Sequence, residues 1–156
     1  MNIFLSMEVL FFRLGNRVAG IPTRNIRIVL YNKETVPFLP LSEHVKEMLV
    51  NQGRAVGVVD LHTLTGVNWK NPQKKDIILL ETDGIEYGLS VRKILLTRKL
   101  KKDQIRDADS SYSIPEMLQL CACDVGNKTF PIFSEKKILK HKDIKKLWYK
   151  KRKKKP

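Results

Sequence analysis

Residues 17–30, RVAGIPTRNIRIVL, find a counterpart in residues 86–98, EYGLSVRKILLTR. Gly20 aligns with Gly88, Ile21 with Leu89, Thr23 with Val91, Ile26 with Ile94 and Ile28 with Leu96. Each copy follows an apolar run and a turn, FFRLGNR in the first case and ILLETDGIE in the second. Further along each half comes another match: GRAVGVVDLHTL from Gly53, and GNKTFPIFSEKKIL from Gly126. A chain that twice spells strand–turn–strand–Gly–strand and then turn–strand predicts two related β-units. By this alignment they span roughly 15–70 and 84–139, with strand 8–14 ahead of the first. Each is small for a core of its own, so the two must pack together over a common apolar layer. Gly20 and Gly88 mark structural positions, a close backbone approach or a bulge where each unit curves.

Short apolar runs between turn residues predict strands at 8–14, 17–22, 25–31, 54–61, 76–82, 85–90, 93–99, 118–124 and 128–133. Asp83-Gly84 between two of them is a strong hairpin signal. Gly15-Asn16 and Val125-Gly126-Asn127 are further turns. Helical signals are few. Leu41 to Val50, with Ser42 as N-cap, is one short candidate. Asp60 to Gly66 is another, and Pro115 favours a helix start before Leu118. The polar stretch 101–113 reads as a loop. The sum is a mainly β sandwich or barrel decorated by short helices.

At 156 residues and 42% apolar content the chain is long enough for one domain with a core. Two cysteines one residue apart build no disulfide framework, which points to a reducing, cytosolic setting. No apolar run is long enough to cross a membrane. The apolar start MNIFLSMEVLFFRLG lacks a basic leader and is interrupted by Glu8, so it reads as a buried strand rather than a signal peptide. Met7 is an alternative start that would make the first six residues an extension.

The charge is unevenly placed. The formal net charge is +14, but residues 136–156 alone hold twelve Lys and Arg against one Asp, leaving the body at +3. The basicity therefore belongs to a tail, 140–156, which ends in Lys150, Lys151, Arg152, Lys153, Lys154 and Lys155. Ile144, Leu147 and Trp148 make a small apolar patch at helical spacing before it. Three readings of it stand: a solvated tail whose helix packs Trp148 on the barrel, attraction to an acidic partner, or binding to anionic lipid or nucleic acid.

Reaction chemistry finds little support. Cys121 and Cys123 share a strand face, where small buried thiols are the plain reading. Structural zinc would need two short ligand clusters, and only scattered His and carboxylates are available. Asp60 follows an apolar strand, a position for a turn or helix cap, and His62 reads as a surface residue. There is no nucleophile motif and no Gly-rich phosphate loop. The expectation is no catalytic residue, no metal and no cofactor. Ile26, Ile28, Val56, Val58, Leu89, Val91 and Ile94 read as core, with some available to line a groove for an amphipathic partner.

The order of these motifs resembles the CheW-like domain of bacterial chemotaxis over 7–139. FFRLGNRVAGIPTRNIRIV matches its opening strand, turn and Gly-Ile strand. VPFLPLSEHVKEML stands for its Pro-containing linker, GRAVGVVDLHTLTGV for its Val-Val-Asp-Leu segment, and DIILLETDGIEYGLSVRKIL for its second hairpin. The resemblance implies two small SH3-like five-stranded barrels side by side. It also implies a non-enzymatic cytoplasmic adaptor, recruited to membrane-associated receptor arrays, that couples a chemoreceptor tip to the regulatory domain of a histidine kinase. The receptor would lie along a groove between barrels, and the kinase would dock end-on. The carried-over partner positions are Ile26, Ile28, Glu47, Gln52, Gly53 and Arg92. Several depart from the family's residues: Gln52 stands for its Arg, Glu47 for its Gly, Ile28 for its Glu, Arg92 for its Asp and Gly57 for its Pro. The alternative expectation is a CheW-like module with altered partners that binds polyanions through the basic tail.

Overall fold

The computed structural model describes residues 6–42, 44–70, 72–108, 114–142 and 144–145. Among the described residues twelve strands form two six-stranded sheets. In chain order they are β1 (Ser6–Leu14), β2 (Arg17–Pro22), β3 (Ile26–Glu34), β4 (Val36–Ser42), β5 (Val45–Asn51) and β6 (Arg54–Asp60), then helix α1 (Leu61–Thr65). The second half gives β7 (Lys74–Thr82), β8 (Ile85–Val91), β9 (Lys93–Lys101), β10 (Ile105–Arg106), β11 (Gln119–Val125) and β12 (Lys128–Phe133), then α2 (Glu135–Leu139).

One sheet runs β10-β11-β12-β2-β1-β9 and the other β4-β5-β6-β8-β7-β3. Position by position the two orders correspond. Even the unusual parallel contacts match, for Ile132 lies beside Gly20 on β2 and Val58 beside Gly88 on β8. The repeat is thus real in three dimensions, but the boundary expected between 15–70 and 84–139 does not separate the sheets. Each half of the chain gives its hairpin to one sheet and its next four strands to the other. One sheet, here the flanking barrel, is made from both ends of the chain; the central barrel holds β3 to β8. Each has a sixth strand beyond the five expected, because β10 and β4 extend the edges.

The alternation of side chains explains why the barrels hold together. On β1, Val9 and Phe11 point into the flanking barrel with Leu100, Cys123 and Ile132. Leu10, Phe12 and Leu14, on the opposite face, meet Ile78, Leu80, Tyr87 and Leu89 of the central barrel. On β7, Ile77 and Leu79 fill the central barrel. Strands β1 and β7 are therefore buried on both faces, one face per core. Helix α2, capped by Ser134, adds Ile138 and Leu139 to the shared seam.

Gly20 and Gly88 sit where side chains of facing strands fill the space that a Cβ would take. A Cβ on Gly20 would lie 2.5 Å from Val9 Cγ1, and one on Gly88 would lie 3.1 Å from Ile77 Cγ2.

The helix expected from Leu41 to Val50 is absent. That segment spans β4 and β5, joined antiparallel, with β5 also paired to β6. Val45 and Leu49 point inward on one face of β5. Backbone pairing on both sides outweighs the modest helical preference of this segment. Within 101–113, read as a loop, a 3-10 turn at Lys102–Gln104 leads into β10. No helix among the described residues is long and apolar enough to cross a membrane.

Candidate functional site

Strands β3 and β9 are edge strands, one from each sheet. An edge strand has a neighbour on one side alone, so its apolar side chains can stay exposed. Here they do: Ile28 is 45% exposed, Tyr31 58% and Leu96 54%, with Leu95 also open. Between the strands runs a groove of about 320 Å³, lined by Leu10, Ile26, Val29, Tyr31, Leu95 and Leu96. Its two walls are the two copies of the sequence repeat.

Asp76 on β7 fixes the distance between those walls. Its Oδ1 accepts the backbone N–H of Asn32 on β3, and its Oδ2 accepts that of Ile94 on β9, each at 2.9 Å. Asn32 has φ of 54° and sits where the β3–β7 register slips between Leu30 and Lys33. One carboxylate thus bridges a bulge in one barrel and the edge strand of the other.

A second cleft, about 200 Å³, opens beside the β5–β6 turn, lined by Arg27, Ile28, Gln52, Arg54, Val56 and Glu86. Asn51 pairs with Arg54, leaving Gln52 and Gly53 as a two-residue turn with φ of 52° and 76°. Positive φ at both positions is the hairpin geometry that matches strand twist. The rim is charged and self-paired, for Arg27 bridges to Glu81 and Arg54 to Glu86.

Of the six partner positions, Ile28 and Gln52 share this cleft, Gly53 completes its turn, and Ile26 lies in the adjoining groove. The other two lie apart and are engaged. Glu47, at the far end of β5, bridges to Lys75, whose side chain is 3% exposed. Arg92 donates to the backbone oxygen of Gly15 and to Asn16 Oδ1, each at 3.0 Å, and its guanidinium lies 4.4 Å from the centre of the Trp69 ring.

Arg92 belongs to a stack at the barrel junction. Trp69 packs face to face on His62, with ring centres 5.7 Å apart. His62, read as a surface residue, is 5% exposed. Its Nε2 accepts the N–H of Gly15, and its own N–H is accepted by Asp60 Oδ1, which caps α1. Burial acts to raise the Asp60 pKa, but hydrogen bonds from His62 and Thr63 outweigh it and hold the carboxyl below its ordinary value.

Cys121 and Cys123 are free thiols facing the flanking barrel's interior. Burial pushes their pKa values up to about 11 and about 12. Among the described residues no three His, Cys, Asp or Glu cluster as metal ligands. The tail from Lys150 to Lys155 lies outside the described residues.

Asp76, Tyr31 and Leu95 went unnoticed in the sequence. The run Ile94-Leu95-Leu96 carries the available signal, since three apolar residues in a row place at least one on each face of a strand.

The arrangement is one of surfaces rather than reacting groups, and comparison with known proteins agrees with it. The chemotaxis protein CheW of Thermotoga maritima is 28% identical over 99 residues, covering 63% of this chain and 65% of the relative. The match therefore spans just under two thirds of that protein's length. The crystal structure of the scaffolding protein TtCheW from Thermoanaerobacter tengcongensis shares the fold, with a TM-score of 0.74 at 16% identity over 83% of this chain and 84% of that one. The sequence profile of the CheW-like domain matches residues 8–143, nearly the whole described body, and the chain belongs to the CheW-like domain family.

Proposed function

We propose that the chain is a non-enzymatic chemotaxis adaptor that holds a chemoreceptor tip in the groove between β3 and β9 and a kinase regulatory domain at the cleft beside the Gln52–Gly53 turn. Family membership supports the class of function. The observation that carries the receptor half is the exposure of Tyr31, Leu95 and Leu96 on two edge strands. A helical hairpin with an apolar stripe fits such a groove, each ridge residue removing one of these side chains from water. Such a protein works in the cytoplasm and is drawn to receptor arrays by this contact. Ile28 and Gln52 replace the polar residues of the family pattern at the kinase-facing cleft, so this chain would select a partner with a less charged surface there.

Co-sedimentation with a receptor cytoplasmic hairpin and a kinase regulatory domain tests the reading. The wild type is expected to bind both. Leu96→Asp is expected to lose the receptor fragment and keep the kinase fragment, and Gln52→Glu to do the reverse. A folded wild type that binds neither would overturn the proposal.

A further inference from the structure

The groove between β3 and β9 carries its charge on one wall. Leu10 of β1 lies opposite Thr97 of β9, and both line the groove. Two-residue alternation extends that face of β9 to Lys99 and Lys101, which lie opposite Glu8 and Ser6. Both lysines are exposed, as is Arg98 beside them. None of the three forms an ion pair with a described residue. Glu8, the carboxylate opposite Lys99, turns instead to Thr23, whose hydroxyl donates to its Oε1 at 2.9 Å.

The two ends of the groove are therefore unlike. At the end tied by Asp76 stand the apolar Tyr31 and Leu95, next in sequence to Asn32 and Ile94. The cations there, Lys33 and Lys93, have the carboxylates of Asp76 and Glu34 among them. At the Thr23 end, Arg98, Lys99 and Lys101 outnumber Glu8. Edge strands often carry Lys to keep other strands away. Strand β3 is an edge as well, yet it manages with Arg27 bridged to Glu81 and Lys33 next to Glu34. Protection of the edge thus leaves the surplus on β9 without a reason.

An occupant of the groove has to match an apolar stretch followed by a cationic one. The strand rise puts Lys99 roughly 13 Å and Lys101 roughly 20 Å beyond Leu95. On a helix these distances correspond to about 9 and about 13 residues. The floor at Leu10 is 4% exposed between walls that stand open, a concave shape that takes the ridge of a helix and not a flat lipid surface. Building on the receptor reading above, we infer that the receptor helix carries carboxylates about 9 and about 13 residues beyond the apolar side chain that meets Leu95. Lys99 and Lys101, with Arg98, receive them, so the acidic end of the helix points toward Thr23.

The test uses the full chain and two versions of one chemoreceptor cytoplasmic hairpin, with Glu or with Gln at those two positions beside the same apolar stripe. The wild type is expected to bind the Glu version about fivefold tighter at low salt, since several exposed pairs of small individual weight act together. Raising NaCl to about 300 mM should shrink the preference. Lys99→Gln with Lys101→Gln is expected to bind both hairpins alike, at the wild-type affinity for the Gln version. Lys33→Gln with Lys93→Gln is expected to keep the preference. Equal wild-type affinities, or a preference that salt leaves unchanged, overturn the inference and leave the receptor reading standing. A preference that survives in Lys99→Gln with Lys101→Gln also overturns it, by assigning the attraction to the basic tail. If that variant instead loses wild-type binding to phosphatidylglycerol vesicles, the lysines serve a membrane and the inference falls. A folded wild type that binds neither hairpin overturns the receptor reading itself.

Discussion

Gly15 donates its backbone N–H to Nε2 of His62 across 3.1 Å, and this buried bond joins the β1–β2 turn of one barrel to helix α1 beside the other. Removing the acceptor leaves a buried amide unpaired, which costs about 1–3 kcal/mol. His62→Ala is therefore expected to lower unfolding stability by at least that amount, since Trp69 also loses its stacking partner. His62→Gln, which keeps an acceptor oxygen, should recover part of the loss. Urea denaturation of the three proteins checks the order.

The neighbouring carboxylate gives a pH signature. Asp60 titrates lower in the fold than its ordinary value of 3.8. A depressed carboxyl adds stability that is complete above the ordinary value and is lost as pH falls through the lower, folded one. The stability gap between wild type and Asp60→Asn should stay constant above about pH 5 and shrink below about pH 4. Urea midpoints from pH 6 downward measure it, and a constant gap down to the acid limit would contradict the assignment.

Close packing at the two equivalent glycines predicts unequal costs. An added methyl on Gly20 meets Val9 Cγ1 at 2.5 Å, too near for a stiff valine to avoid, whereas on Gly88 it meets Ile77 Cγ2 at 3.1 Å. Overpacking costs about 1–3 kcal/mol. Gly20→Ala is expected near the upper end and Gly88→Ala near the lower, read from thermal midpoints.

Asp76 links stability to the groove. Replacing it with Ala removes both charge-assisted bonds, to Asn32 and to Ile94. The expected loss is about 2–4 kcal/mol, together with faster amide exchange at Asn32 and Ile94. Because the groove walls lose their common anchor, receptor-fragment affinity should fall more than kinase-fragment affinity.

Glu47 offers a test of whether a position serves a partner or the barrel. Glu47→Ala removes the carboxylate that faces the buried Lys75 ammonium, with an expected cost of about 1–3 kcal/mol. The double variant Glu47→Leu with Lys75→Met should regain most of it, as apolar replacement of buried pairs often does. Kinase-fragment binding by the stable double variant then reports on the partner role alone.

The repeat was legible because glycine, turn and alternation signals coincide at Gly20 and Gly88. Its spatial meaning was not, since matching segments reveal which strands are alike and not which of them pair. The β4–β5 hairpin was hidden by Val45, Met48 and Leu49, whose spacing also suits a helical face. What decides for a strand is the pairing to β6 and the burial of Lys75 against Glu47, both distant in sequence. At the cleft, Ile28 read as core because an apolar residue in a strand usually is. Only its place at a sheet edge exposes it. His62 looked external for the converse reason, its buried partner being the backbone of a turn 47 positions away.

Because β2 finds a sheet neighbour in β12, the sheet begun by the first hairpin stays incomplete during synthesis until residue 133 has left the ribosome. The segment that finishes first, β3 to β8, forms a complete sheet before either end of the chain is settled. Maturation should therefore run from the middle outward, with the β1–β2 hairpin made first but set in a complete sheet last.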